Sequence, residues 1–160
     1  MEIKLKGETV LLEGNQPKVG DQAPDFSLKD LGDNNVSLSN LSDKPVLISV
    51  VPDIDTSICQ IQTKRFNQEA AKLTGVHFLT ISNNTKEQQA DWCGAEGVTM
   101  TMLRDSDLDF AKKYGVYIPK IDKLARAIFI VDVSGKIAYE EIVSEVASEP
   151  DFKSALSVLN

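Results

Sequence analysis

The chain has 160 residues, of which 42% are hydrophobic and 26% are charged, and its formal net charge is -7. This length and composition are typical of one folded globular domain and exclude a disordered or fibrous protein. The negative charge argues against nucleic acid and acidic membrane surfaces as partners, because both are bound through clustered positive charge. We therefore expect a single domain over residues 1–160.

The first residues, the apolar segments and the two cysteines indicate the cellular location of the protein. The first residues contain no long apolar stretch, and no segment has 18 consecutive apolar residues. We therefore expect neither a secretory signal nor a membrane span, and we expect a cytoplasmic protein. Two cysteines, Cys59 and Cys93, are too few for a secreted disulfide scaffold. In a reducing compartment a conspicuous cysteine is more often catalytic or redox-active.

The first part of the chain predicts short strands around one buried strand. Alternating apolar residues on both sides of Lys6-Gly7-Glu8 predict an N-terminal β-hairpin. Short alternating pieces follow at Phe26–Leu28 and Val36–Leu38. The continuous run Val46–Val51, which is apolar except for Ser49, is typical of a strand buried on both faces.

The rest of the chain alternates between helical and extended patterns. In chain order, the patterns predict a helix at 57–73, a strand at 76–81, a short helix at 86–92, a strand at 98–103, a helix at 107–114, a β-hairpin with strands at 127–132 and 137–143, and a helix at 150–159. This order predicts an α/β fold in which helices flank a mixed central sheet. Binding sites of such sheets form at the carboxyl ends of strands, which is where the turn from Pro52 to Cys59 falls.

The turn after the buried strand favours a reactive cysteine. If Thr56 caps the following helix, Cys59 lies in its first turn, where the helix dipole and free N–H groups stabilise a thiolate. Cysteines in such positions have a pKa of ~3.5–7.5 instead of about 8.5. The Thr56 hydroxyl would face the same small volume, and the ring of Pro52 would shield it from water.

Each of these residues also has an ordinary structural interpretation. Cys59 would be a small buried hydrophobe, Thr56 a helix cap and Pro52 a turn former. The three together are more informative, because the spacing Pro-x-x-x-Thr-x-x-Cys is rare by chance.

This segment resembles the active-site motif of the peroxiredoxins. Further segments are similar to the bacterial thiol peroxidases, the atypical two-cysteine branch of that family: Val51-Pro52-Asp53-Ile54-Asp55-Thr56-Ser57-Ile58-Cys59, Arg65-Phe66-Asn67, Cys93-Gly94-Ala95-Glu96-Gly97 and Ala125-Arg126-Ala127. The resemblance covers nearly the whole chain. At Asp53 the chain departs from the family, where a serine is frequent.

The resemblance implies a thioredoxin-like fold and an enzyme that reduces hydrogen peroxide and alkyl hydroperoxides. It implies a peroxidatic role for Cys59, a resolving role for Cys93, and an arginine, Arg126, beside the active site. Without the resemblance, Arg126 would be interpreted as a surface salt-bridge partner. No cofactor or metal is called for.

The resemblance also implies partners. Thioredoxin would reopen a disulfide between Cys59 and Cys93 by exchange. A homodimer is expected as well, with candidate contacts at Tyr114, Tyr117 and Ile118.

The second cysteine lies 34 residues after the first, so the pair is neither a Cys-x-x-Cys motif nor a zinc knuckle. Without the resemblance, Cys93 would be interpreted as a structural core cysteine. We expect the strands at 46–51 and 76–81 to be parallel, so Cys59 would start one helix near the carboxyl edge of the sheet and Cys93 would end another helix that descends from that edge. Because the two cysteines would then begin apart and a disulfide requires Cα atoms about 4.4–6.8 Å apart, we expect local unwinding at Cys59, around Trp92 to Gly97, or at both. Trp92 is interpreted as a packing aromatic that could report the change by fluorescence.

The sequence is less consistent with three other functions. A cysteine–histidine hydrolase is disfavoured because His77, the one histidine, falls inside a predicted strand. General thiol–disulfide exchange is disfavoured because Gln62 stands where a second cysteine would complete its motif, and an insulin-reduction assay separates it from a peroxidase. A redox-sensing module would bind partners through the disulfide state, and rapid turnover with thioredoxin would exclude that role.

Overall fold

The computed structural model describes residues 2–5, 7–53, 68, 75–90, 101–145 and 150–158. Most of the predicted helix at 57–73 lies outside the described residues. So do residues 98–100 of a predicted strand and the last two residues of the predicted short helix.

The strands and helices follow the predicted order closely. The strands are β1 Glu2–Leu5, β2 Glu8–Leu11, β3 Ser27–Lys29, β4 Asn35–Ser37, β5 Val46–Val50, β6 His77–Ser82, β7 Thr101–Arg104, β8 Tyr117–Ile118, β9 Lys123–Leu124, β10 Ala127–Val131 and β11 Ile137–Ile142. The helical segments of two or more residues within the described ranges are α1 at 86–90, α2 Asp109–Lys113 and α3 Phe152–Ser157, with a 3₁₀ turn at Leu38–Leu41.

One mixed sheet organises the described residues, with the strand order β11-β10-β5-β6-β7-β3-β4. Strands β5, β6 and β7 are parallel, whereas β10 runs antiparallel to β5 on its other side. The predicted parallel pairing of the strands at 46–51 and 76–81 is confirmed. Every residue of β5 is buried, as expected for a central strand covered on both faces.

Apolar clusters pack on both faces of this sheet. Alternate residues of the central strands belong to different clusters: Ile48, Val50 and Phe129 face one, and Leu47 and Ile128 face the other. The second cluster includes Ala155 of α3, so the final helix is packed on the sheet. A slip of one residue in β5 would exchange the two faces, and the clusters therefore fix the register of the strand.

An aromatic cluster within the larger core corrects one prediction. Tyr114 stacks on Phe110 with ring centroids 4.3 Å apart, and its hydroxyl donates a hydrogen bond to the carbonyl oxygen of Pro24 at 2.7 Å. Tyr114 and Ile118 are both fully buried. The prediction that these two residues contact a second chain is wrong, because their side chains are used inside the core of one chain.

The N-terminal hairpin is confirmed, and it is bound to distant parts of the chain. Strands β1 and β2 pair antiparallel, with Ile3 opposite Val10 and both side chains buried. The N–H of Lys4 donates to the carbonyl of Ser144 at 2.6 Å, and Glu13 N–H donates to Tyr117 at 2.8 Å. The hairpin is therefore an integral part of the domain.

Candidate active site

The carboxyl ends of the parallel strands and the start of β10 meet at one edge of the sheet. Val50, at the end of β5, lies opposite Ala127, the first residue of β10. Val50 also pairs with Ile81 of β6, and Ser82 pairs with Arg104 at the end of β7. The polar residues that follow these strands are therefore collected at this edge.

Pro52 lies at this edge, two residues after β5. It is buried, and the N–H of the preceding Val51 still donates to Ile81 at 3.0 Å, so the strand exit is held by β6. Because proline fixes its own φ and has no N–H, it fits a chain that leaves a sheet here. The other predicted residues of this segment, Thr56 and Cys59, lie outside the described residues, as do Cys93 and Trp92.

Arg126 is brought to the same edge by strand register. It immediately precedes Ala127, so it lies one position beyond the pair that Ala127 forms with Val50. Its backbone carbonyl accepts a hydrogen bond from the N–H of Val143 at 2.9 Å, which ties it to β11 as well. The residue is only 2% exposed. A buried guanidinium is costly to desolvate and is not a surface salt-bridge partner.

A polar network lies between β5 and β6 at this edge. The buried side chain of Asn84 donates from Nδ2 to Asp53 Oδ1 at 3.0 Å and to Gln88 Oε1 at 3.1 Å. Gln88 Oε1 also accepts from the N–H of Thr85 at 3.0 Å, and the Thr85 hydroxyl accepts from the N–H of Gln88 at 3.2 Å. This reciprocal pair is a capping box at the start of α1.

A buried carboxylate follows β7. The oxygens of Asp105 accept hydrogen bonds from the N–H groups of Phe110 at 3.0 Å and Ala111 at 2.8 Å, which caps α2. Burial raises the pKa of Asp105 above its ordinary value, and the two N–H groups offset part of that increase. Asp105 is thus a structural cap that carries an electrostatic cost.

His77 lies at the amino end of β6, the opposite edge of the sheet from Pro52. Its Nε2 lies 2.9 Å from Asp43 Oδ1. This hydrogen bond lowers the pKa of the Asp43 carboxyl. His77 is therefore a strand residue whose side chain is hydrogen-bonded, as the sequence predicted. It does not lie at the candidate site.

Within the described ranges, no group of three His, Cys, Asp or Glu residues is arranged to bind a metal ion. Among the same residues, no helix has the length and apolar character needed to span a membrane.

The buried positions of Asn84 and Asp105 were not predicted from the sequence. The signal for the Asn84 network was present, because Thr85-Lys86-Glu87-Gln88 matches the capping-box pattern. Asp105 stands in an acidic stretch with Asp107 and Asp109, where a solvated side chain is the ordinary expectation. Its burial depends on the contact between the end of β7 and α2.

The strand order, the parallel β5–β6–β7 core and the antiparallel β10–β11 pair define a protein of the thioredoxin-like class. A model of the AhpC/TSA family matches residues 19–140. The chain is similar to the thiol peroxidase of Bacillus subtilis, with 43% identity over 97% of this chain and 94% of the relative. It is 45% identical to the thiol peroxidase of Oceanobacillus iheyensis, over 99% of this chain and 98% of the relative.

A solved structure agrees with these matches. The peroxiredoxin-like protein from Aquifex aeolicus superposes with a TM-score of 0.90 at 32% identity, over 99% of this chain and 95% of that protein. The chain belongs to the AhpC/TSA family.

Proposed function

We propose that this protein is a thiol-dependent peroxidase that reduces hydrogen peroxide and alkyl hydroperoxides through Cys59. The observation that carries the proposal is full-length similarity to thiol peroxidases, together with the active-site motif that ends at Cys59. The buried positions of Pro52 and Arg126 at one sheet edge support it. The chain enters the Cys59 segment from that edge.

In the first step the Cys59 thiolate attacks one oxygen of the hydroperoxide. A sulfur–oxygen bond forms, the oxygen–oxygen bond breaks, and the leaving oxygen takes a proton to depart as water or an alcohol. Cys59 becomes a sulfenic acid. The Thr56 hydroxyl would hydrogen-bond the thiolate or the bound peroxide, and Pro52 would limit access of water.

Arg126 would stabilise the charge that moves during this step. Its guanidinium carries five donors in a fixed fork, which suits a thiolate and two adjacent oxygens. Because the residue is buried, its charge is less screened by solvent than that of a surface arginine. The register of β10 against β5 supports this role, since it brings Arg126 to the level of Val51, the residue before Pro52.

In the second step the thiol of Cys93 would attack the sulfenic sulfur. A disulfide forms, and the hydroxyl leaves with the thiol proton as water. A dithiol reductant would then reopen the bridge by exchange, and thioredoxin is the reductant that the resemblance implies. The cycle uses no cofactor.

Intact-mass analysis after one equivalent of peroxide tests the proposal. We expect a loss of two hydrogens and a peptide that joins residues 59 and 93. Cys59→Ser should abolish peroxide reduction, whereas Cys93→Ser should permit one turnover and then stall with thioredoxin. Equal activity of the two variants would contradict these roles.

We further propose a cytoplasmic homodimer. The support is the family resemblance and, for the location, a composition with two cysteines. Of the three residues first predicted as contacts, Tyr117 alone retains partial exposure. Light scattering of the purified protein tests the dimer, and a monomeric mass at micromolar concentration would contradict it.

A further inference from the structure

Asn84 links the two parts of the chain that lead to the two cysteines. Its Nδ2 donates to Asp53, six residues before Cys59, and to Gln88, five residues before Cys93. At about 3.3–3.6 Å per extended residue, the cysteines lie within roughly 20 Å of these acceptors along the chain. One buried amide therefore joins the starting points of both segments.

These hydrogen bonds are costly to break. Asn84 is 1% exposed, so an amide that loses its acceptors here is not readily compensated by water. Gln88 also belongs to the capping box, because its Oε1 accepts a hydrogen bond from the N–H of Thr85. A displacement of Gln88 therefore disturbs both its bond to Asn84 and the start of α1, and a displacement of Asp53 breaks its own bond to Asn84.

Disulfide formation demands such a displacement. The two Cα atoms must approach to about 4.4–6.8 Å, and the sequence predicts that local unwinding accompanies this approach. Contacts that stabilise the start of α1 and the exit of β5 oppose that unwinding. Asp53 stands where the family frequently has serine, so this link depends on a residue in which the chain departs from the family pattern.

We propose that Asn84 is a positioning residue that slows the disulfide step between Cys59 and Cys93 by holding Asp53 and Gln88 together. The inference rests on the proposed function, because it concerns the second step of that cycle. In this step the Cys59 sulfenic acid and the Cys93 thiol form a disulfide and release one water. Peroxide has already supplied the oxidation, and no further oxidant is needed.

The test times disulfide formation after a pulse of hydrogen peroxide, by rapid quenching, thiol alkylation and mass analysis. We expect Asn84→Ala to accelerate the disulfide step by at least about fivefold, because it removes two hydrogen bonds and the loss of one ordinary hydrogen bond has an effect of that size. In a Cys93→Ser background, the same substitution should change the rate of peroxide attack by less than about twofold. A purely structural defect would lower both rates.

Asn83→Ala is the matched control. Asn83 is the neighbouring residue of the same type, but its Nδ2 donates to the carbonyl of Asp122 at 2.8 Å. It should leave the disulfide step unchanged. If Asn84→Ala fails to fold, Asp53→Ala removes one acceptor without altering the buried amide, and it should accelerate the same step.

A double substitution separates a direct link from two independent effects. If Asn84 acts through Asp53, the Asp53→Ala/Asn84→Ala protein should form the disulfide no faster than Asn84→Ala alone. Additive acceleration, or an unchanged or slower step in Asn84→Ala, would overturn the inference. If the wild-type protein reduces no peroxide, the proposed function fails, and if it reduces peroxide but forms no bridge between residues 59 and 93, the second step of the proposed cycle fails; both outcomes are distinguishable from a failure of the Asn84 inference.

Discussion

Arg126 lies one residue beyond the point where Ala127 of β10 pairs with Val50 of β5, which brings this arginine to the strand exit that leads into Pro52. Arg126 and Pro52 are 74 positions apart in the sequence, and the register of β10 against β5 brings them to the same end of the sheet. The first prediction depends on this relationship.

Arg126→Met should lower the second-order rate constant for peroxide reduction by about 100-fold or more, the effect seen when one preorganised donor is removed from a reacting centre. Arg126→Lys should recover only part of the loss, because lysine lacks the planar fork. Stopped-flow measurement of peroxide consumption checks both variants. Arg104→Met, which breaks an ion pair with Asp33 at 2.6 Å, is the matched control, and a similar loss there would contradict a specific role for Arg126.

Asp105 predicts a pH dependence of stability. Burial raises its folded pKa above the ordinary value of 3.8, so its contribution to stability is fully present below that value and is lost as the pH rises through the folded pKa. The free energy of unfolding of the wild type relative to Asp105→Asn should therefore fall as the pH rises. Urea unfolding between about pH 3 and 7 measures this difference.

Asp33 provides a control of opposite sign. Hydrogen bonds from Lys86 and Arg104 lower the pKa of its carboxyl, so its contribution is present above the ordinary value and is lost as the pH falls through the folded pKa. The stability of the wild type relative to Asp33→Asn should rise with pH. The same slope for both variants would contradict the assignment of burial as the dominant effect at Asp105.

Tyr114→Phe should destabilise the fold by about 1–2 kcal/mol, because it leaves the carbonyl of Pro24 without its donor at 2.7 Å. The expected fall in melting temperature is about 2–8 °C for a domain of this size. The control is Tyr117→Phe, whose lost hydrogen bond to Asp122 is exposed and should lower the melting temperature by less. Calorimetry compares them, and an equal effect would argue against the buried bond as the cause.

His77→Gln should leave peroxide reduction within about twofold of the wild-type rate. His77 starts β6, whereas Pro52 and Arg126 lie at the other edge of the sheet. The peroxidase assay used for Arg126 provides the measurement. A tenfold loss would restore cysteine–histidine chemistry as an alternative.

Local patterns were sufficient to predict the buried strands. Val46–Val50 is apolar except for Ser49 and Ala127–Val131 is apolar throughout, and a central strand covered on both faces is the natural position of such runs. Strands β8 and β9 were not predicted, since two residues each carry no periodicity and their pairing depends on the turn between them. Tyr114 and Ile118 were misplaced because exposure depends on packing partners distant in sequence.

Local sequence predicts only those residues of the candidate site that lie close together in the chain. Pro52 precedes Cys59 in one continuous motif, so local sequence indicates it directly. Arg126 reaches the same edge only through the β5–β10 pairing, and without the family resemblance nothing near it in sequence indicates that position. Asn84 lies beside a recognisable capping box. Its hydrogen bond to Asp53 joins the residues that follow β6 and β5, so it depends on the pairing of those strands.

The attachment of the N-terminal hairpin to Ser144 has a consequence for biosynthesis. Strand β1 is synthesised before Ser144, to which it is hydrogen-bonded and which follows about 140 residues later, roughly 7–28 s at ordinary rates of translation. During that interval the apolar side chains of Ile3 and Val10 have no completed surface to cover. Strand β1 therefore reaches its final environment only late in synthesis, long after it has itself been made.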